Sequence, residues 1–263
     1  MGNPSGTILL LYFNGTGNEF LGEIRYTEGL AMNQLYTRTY RRNAKGEILV
    51  SGAGGTIGRP LASNTNPPGI TAGFNPVGSS IPKFTGGWSN TFTYKKLSLG
   101  VFIDYKFGGT VLSSTLLNMT RQGHSKLSLQ GREGGYIFPG INELTGSANT
   151  TVITVAGNGL QNFWTDYRNN QIGDPFTFKS DFIKLRSISL AYNFTNLINK
   201  VALLNFVKGL TLSASCRNVA ILHKDLPGLD PEAIQSSGDI RSGYENSSLP
   251  TTRNYNLTLN VKF

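Results

Sequence analysis

The residues best equipped for chemistry are few. His124 and His223 are the only histidines, and His223 stands two places before Asp225, which suggests the imidazole–carboxylate pair of a general base. Serine is plentiful, yet no Gly-x-Ser-x-Gly elbow, oxyanion arrangement or metal-ligand spacing accompanies it, so both histidines read as solvated loop residues. Asp230 and Glu232, joined by Asp225 or Asp239, offer hard oxygen ligands of the kind Ca²⁺ takes. Their spacing matches no calcium loop; Asp230-Pro231 reads as a turn, with Glu232 capping the segment after it. Gly52, Gly54 and Gly58 come after a strand at nearly the spacing of a dinucleotide-binding turn, but such a turn opens directly into a helix whose amides face the pyrophosphate. Here Arg59-Pro60 and SNTNPPG come next instead, which excludes it. No catalytic residue, no metal site and no cofactor are expected.

What any side chain can do depends on the element that carries it, and the elements of this chain are two-sided strands. In Asn254 to Phe263, Tyr255, Leu257, Leu259, Val261 and Phe263 alternate with Asn254, Asn256, Thr258, Asn260 and Lys262. Leu97 to Phe107 repeats the pattern, with Asp104 and Lys106 on its polar side, where a wet surface tolerates charge and a buried one does not. Leu210 to Asn218 places Leu210, Leu212, Ala214 and Cys216 opposite Thr211, Ser213, Ser215 and Arg217. Asp181 to Phe194 is also strand, and simple alternation puts Lys184 and Arg186 on one face with Ile188, Leu190, Tyr192 and Phe194. An apolar face of this kind packs on a second sheet in a soluble sandwich or on lipid in an outer-membrane barrel.

Between the strands lie connections of unequal length. Thr85 to Tyr94, with Trp88, Asn90, Phe92 and Tyr94 on one side, meets Leu97 through a tight Lys95-Lys96 turn. Thr195 to Lys208 is a short, partly helical link, while Gly108 to Ser180 and Val219 to Pro250 are long. Within the first long segment Val111 to Gln122 reads as a helix and Thr150 to Val155 as a strand. Nearer the start, Ile8 to Tyr12 reads as a strand, Leu35 to Arg42 and Glu47 to Val50 as a hairpin about Asn43 to Gly46, and Ser51 to Pro82 as a loop rich in Gly, Pro, Asn and Ser. Short and long connections thus alternate, as they do in a barrel with two different rims.

Composition narrows the class. The longest apolar run, Ile8 to Phe13, is far too short for a membrane-spanning helix, which excludes a helical membrane protein but not a barrel. The net charge of +9 is dispersed apart from Arg38, Arg41, Arg42 and Lys45, and no recognition helix or RNA-binding motif accompanies it, so nucleic acid is not an expected partner. The single Cys216 forms no internal disulfide and reads as a small apolar residue on the lipid side.

Three segments carry a resemblance. DFIKLRSISLAYNF, CRNVAILHKDLPGLDPEA and LPTTRNYNLTLNVKF resemble the C-terminal barrel signature of SusC/RagA-type TonB-dependent outer-membrane transporters. Phe182 to Arg186 (with Lys184 and Leu185), Arg217-Asn218, Gly228, Asp230-Pro231-Glu232, Pro250, Arg253, Tyr255 and Phe263 occupy the signature places in order. Pro82 to Gly109 and Gly131 to Glu133 also look like the family, and the likeness runs from about Gly29 onward.

The resemblance implies an all-β chain, residues 1–263, forming the C-terminal strands of an antiparallel transmembrane barrel of about 22 strands, with long extracellular loops. Plug, TonB box and signal peptide are not seen in the sequence, so the expectation is a barrel fragment that does not transport alone and has no enzymatic activity. It implies energised uptake of a glycan or oligopeptide at the outer membrane of a Bacteroidetes-type cell. The implied partners are a SusD-like surface lipoprotein, TonB, membrane lipid, and the barrel-assembly machinery acting on Phe263. Phe163, Trp164 and Tyr167 would stack on sugar faces and Asp166 or Asn169 bind hydroxyls; alternatively the aromatic cluster anchors its loop. An independent small barrel (porin or adhesin) and a soluble carbohydrate-binding sandwich are the competing readings.

Overall fold

A computed structural model describes residues 21–27, 29–64, 73–198, 200–201, 206–233 and 243–263. The strand expected at Ile8 to Tyr12 lies outside them, as does Asp239. In chain order the elements are β1 (Gly22–Arg25), β2 (Gln34–Arg38), β3 (Leu49–Val50), β4 (Phe74–Ser79), β5 (Phe84–Tyr94), β6 (Leu97–Phe107), β7 (Thr110–Ser113), α1 (Ser114–Arg121), β8 (Ile141–Asn142), α2 (Gly159–Asn169), β9 (Thr177–Lys179), β10 (Phe182–Asn193), α3 (Thr195–Ile198), β11 (Gly209–Lys224), β12 (Tyr244–Glu245) and β13 (Asn254–Lys262). They fall into two units, one built on Pro82–Gly109, Lys179–Ala233 and Leu249–Phe263, the other on the remaining segments. No helix among the described residues is long and apolar enough to cross a membrane.

The first unit is one antiparallel sheet in the order β13-β11-β10-β6-β5. Period-two alternation dictates its two faces, and the register carries each face across all five strands. Leu99 of β6 opposes Phe92 on one side and Leu190 on the other, Leu190 opposes Ala214, and Ala214 opposes Leu257. On the other face Gly100 opposes Thr91 and Ser189, Ser189 opposes Ser215, and Ser215 opposes Asn256. Lys95-Lys96 forms the tight β5–β6 turn, closed by the Tyr94–Leu97 pair, with Lys95 at φ 54°. Two glycines in β5 make room for large neighbours: a Cβ on Gly87 would meet the Phe102 ring at 2.6 Å, and one on Gly86 would strike Tyr105.

The face expected for Lys184 is corrected by a β-bulge. Leu185 pairs with Ile103 and Ser187 with Phe102, so Arg186 is an extra residue on β10. Lys184 therefore opposes Asp104 on the polar face, whereas Ile188 opposes Val101 on the apolar one. The neighbouring strand is irregular at the same level, where Asn218 takes a left-handed φ of 52°, a conformation Asn tolerates better than most residues. β11 also runs on to Lys224, beyond the expected end at Asn218.

The second unit holds the three-stranded sheets β1-β2-β4 and β12-β7-β9 and the pair β3-β8. The Asn43–Gly46 turn forms as expected, with Asn43 N–H donating to Glu47 O at 3.0 Å. The Ser51 to Pro82 stretch, expected as loop, contains β4, which pairs with β2. Thr150 to Val155 is not a strand; Ile153 makes a single bridge to Tyr136. The helix expected over Val111 to Gln122 begins only after β7, at Ser114, because Ser113 caps it by accepting Leu116 N–H at 3.2 Å.

Candidate functional site

Six of the signature residues, Lys184, Arg186, Asn218, Asp230, Glu232 and Arg253, meet at one place on the sheet. Lys184 Nζ donates to Asp230 Oδ1 and to Glu232 Oε2, both at 2.6 Å. Arg186 grips the same Glu232 with Nη1 (2.8 Å) and Nη2 (2.6 Å), and donates through Nε and Nη2 to Asp104 Oδ2. Arg186 Nη1 also reaches Asn218 Oδ1 at 3.0 Å, and Asn218 Nδ2 donates onward to Thr252 O at 2.7 Å. Arg253 Nη2 donates to Val219 O at 2.6 Å. The bulge makes this possible, since it turns Lys184 and Arg186 to the polar side together while Asn218 bends β11 beside them.

The two acids arrive on the loop after β11. Asp230 Oδ1 accepts Glu232 N–H at 3.1 Å, the turn expected of Asp230-Pro231, and Oδ2 accepts Thr251 N–H at 2.9 Å and the Thr251 hydroxyl. The segment that Glu232 is expected to cap lies outside the described residues, and the Glu232 carboxylate accepts from the two bases. Burial pushes the Asp230 carboxyl up, but the Lys184 ammonium, the Thr251 hydroxyl and two backbone amides outweigh it and hold the group at about 2. Glu232 is likewise held down, its burial outweighed by Arg186 and Lys184. A cavity of about 470 Å³ lies beside the cluster, bounded by Lys184, Ile221, Leu229, Asp230, Thr251 and Arg253. Pro231 is itself buried.

The other signature residues lie elsewhere on the sheet. Leu185 is on the apolar face, paired with Ile103 and Ala220. Tyr255 opposes Cys216 on that same face, and Phe263 stacks on Phe206 with ring centroids 6.2 Å apart.

The aromatic cluster belongs to the second unit and is core. Phe163, Trp164 and Tyr167 are 1%, 4% and 3% exposed. Phe163 meets Trp164 edge-on at 4.7 Å, and Trp164 stacks on both Tyr136 (6.0 Å) and Tyr167 (5.9 Å), so the ring faces offered to a sugar are occupied by one another. The Tyr40 and Tyr167 hydroxyls lie 3.0 Å apart, both pushed far up by burial. Asp166 pairs with Arg59 at a cavity of about 200 Å³ that also touches Leu61, Asn170 and Ile172; Asn169 is exposed. The sequence does carry the signal for this: Leu160, Phe163, Trp164 and Tyr167 stand at i, i+3, i+4 and i+7, the buried stripe of α2.

His223 Nε2 lies 3.2 Å from Asp225 Oδ1 on a half-exposed surface. No group of three or more His, Cys, Asp or Glu among the described residues is placed to hold a metal.

No family model matches the chain. Over 198 residues, 71% of this chain and 17% of the relative, it is 26% identical to TonB-dependent receptor P3 of Formosa agariphila. Its fold matches a structure of the RagAB peptide importer in the open-open state with a TM-score of 0.56 and 16% identity, covering 96% of this chain and 24% of that one. The chain resembles the SusC/RagA-type TonB-dependent transporters, and its fold is that of part of such a β-barrel chain. It spans about a fifth of the length of these relatives.

Proposed function

We propose that the chain is an arc of an outer-membrane β-barrel wall, the C-terminal part of a SusC/RagA-like transporter that imports glycans or oligopeptides with TonB-coupled energy and a SusD-like lipoprotein partner. One observation carries the reading: the five-stranded sheet has an apolar face left open to its surroundings, with Leu257 74% exposed, and a polar face of Ser, Thr, Asn and Lys. In water, each such Leu or Val forgoes about 1.5–3 kcal/mol of burial; against hydrocarbon it does not. Among the described residues β5 and β13 are the sheet's edges, and lipid does not tolerate unpaired backbone. Further wall strands from the rest of a receptor would pair there, and the arc by itself would not transport.

Cys216 supplies the test, being the single thiol and on the apolar face. In lipid vesicles a fluorophore on Cys216 is expected to be quenched by a lipid-soluble quencher, and one on Ser215→Cys in a Cys216→Ser background by an aqueous quencher. Equal quenching at both positions from water would overturn the membrane wall.

A further inference from the structure

The net charge of +9 has found no use in the wall or in the signature cluster. Bases stand at both ends of the sheet, but acidic side chains at only one. Asp104 is the only acidic side chain in β5, β6, β10, β11 and β13, and it lies in the signature cluster near the far end of β6. At the opposite end, where the short connections are, stand Lys95, Lys96, Lys200, Lys208 and Lys262.

Backbone bonds tie these lysines into one rim. Asn193 N–H donates to Lys96 O at 2.9 Å, Phe194 N–H to Leu210 O at 2.8 Å, and Lys208 N–H to Lys262 O at 2.7 Å. With strands about 4.8 Å apart, the row from β5 to β13 spans roughly 19 Å. Lys95, Lys200, Lys208 and Lys262 are exposed, and none of the five has an ion-pair partner among the described residues. Exposed apolar groups lie beside them: Tyr94, Leu197, Val201, Phe206 and Phe263. Lys95 Nζ sits 5.3 Å from the Tyr94 ring centroid.

Cations without acidic side chains, bordered by exposed aromatic rings at the edge of an apolar sheet, match one kind of surface: a phosphate layer above hydrocarbon. We propose that this rim is a binding site for the headgroups of anionic phospholipids, the ammonium groups taking phosphate oxygens and Tyr94, Phe206 and Phe263 lying at the acyl boundary. The proposal rests on the wall reading and adds to it a lipid preference that a wall alone does not need.

The test uses the full chain in co-flotation with vesicles of phosphatidylcholine, or of phosphatidylcholine mixed with phosphatidylglycerol. The chain is expected to float with both and to partition more strongly into the anionic vesicles, a preference that weakens as salt is raised. Each lysine neutralised should reduce that preference about five-fold. The variant Lys95→Gln, Lys96→Gln, Lys200→Gln, Lys208→Gln, Lys262→Gln should float with both vesicles equally. A control neutralising Arg41, Arg42, Lys45 and Lys126 in the other unit should keep the preference. Flotation with both vesicles and no preference, or a preference that survives in the rim variant, would overturn the lipid site and leave the wall standing. No flotation with either vesicle would overturn both.

Discussion

Lys184→Met isolates what the signature cluster contributes. The Lys184 side chain is 3% exposed and bridges Asp230 and Glu232, so its removal leaves two carboxylates without their shared cation. Breaking a buried pair from one side costs about 3–5 kcal/mol. Asp230 keeps the Thr251 amide and hydroxyl and the Glu232 amide, and Glu232 keeps both Arg186 contacts, which points to the low end. About 3 kcal/mol, a factor of roughly 100 in the folding equilibrium, is expected in urea unfolding of the detergent-solubilised chain, followed through Trp88. Adding Asp230→Asn to Lys184→Met removes the orphaned charge, so the double variant should be no less stable than the single, with a coupling of about 2 kcal/mol. A Lys184→Met cost under about 1 kcal/mol, or strictly additive effects, would show that the bridge is not what fastens the loop.

The remaining expectations are narrower. Because the Asp230 carboxyl is held at about 2 in the folded chain, its contribution is complete above the unfolded value near 4 and disappears as pH falls from there toward about 2. A loss of about 1–2 kcal/mol over that window is expected in acid unfolding, and it should be absent from Asp230→Asn. Phe163→Ala should cost about 3–5 kcal/mol, since its ring is enclosed by Tyr136, Phe138, Trp164 and Tyr167, while Asn169→Ala on the exposed side of α2 should stay within about 0.5 kcal/mol. Thermal melting decides this; equal melting temperatures for both variants would contradict the buried position of Phe163.

The strands are legible in the sequence because alternation is a local property: Leu97–Phe107 and Asn254–Lys262 can be read without knowing their neighbours. The bulge at Arg186 is not, since an extra residue exists only relative to a partner strand, and nothing within DFIKLRSISLAYNF marks where Ser187 must oppose Phe102. The same limit hides the purpose of the signature. Lys184 and Asp230 lie 46 residues apart and read as two unrelated motifs until the loop after β11 folds back. The aromatic stripe of α2 is visible at helical spacing, but within a long connection between strands it reads either as a sugar-stacking surface or as a loop anchor, and its burial along the helix favours the anchor. Period-two alternation therefore specifies the wall, while the residues that hold a loop to it are set by a single irregularity in that period. Without the bulge Lys184 would oppose Tyr105 on the apolar face and its ammonium would be withdrawn from Asp230 and Glu232, so the register of β10 against β6 and the anchoring of the loop are one constraint.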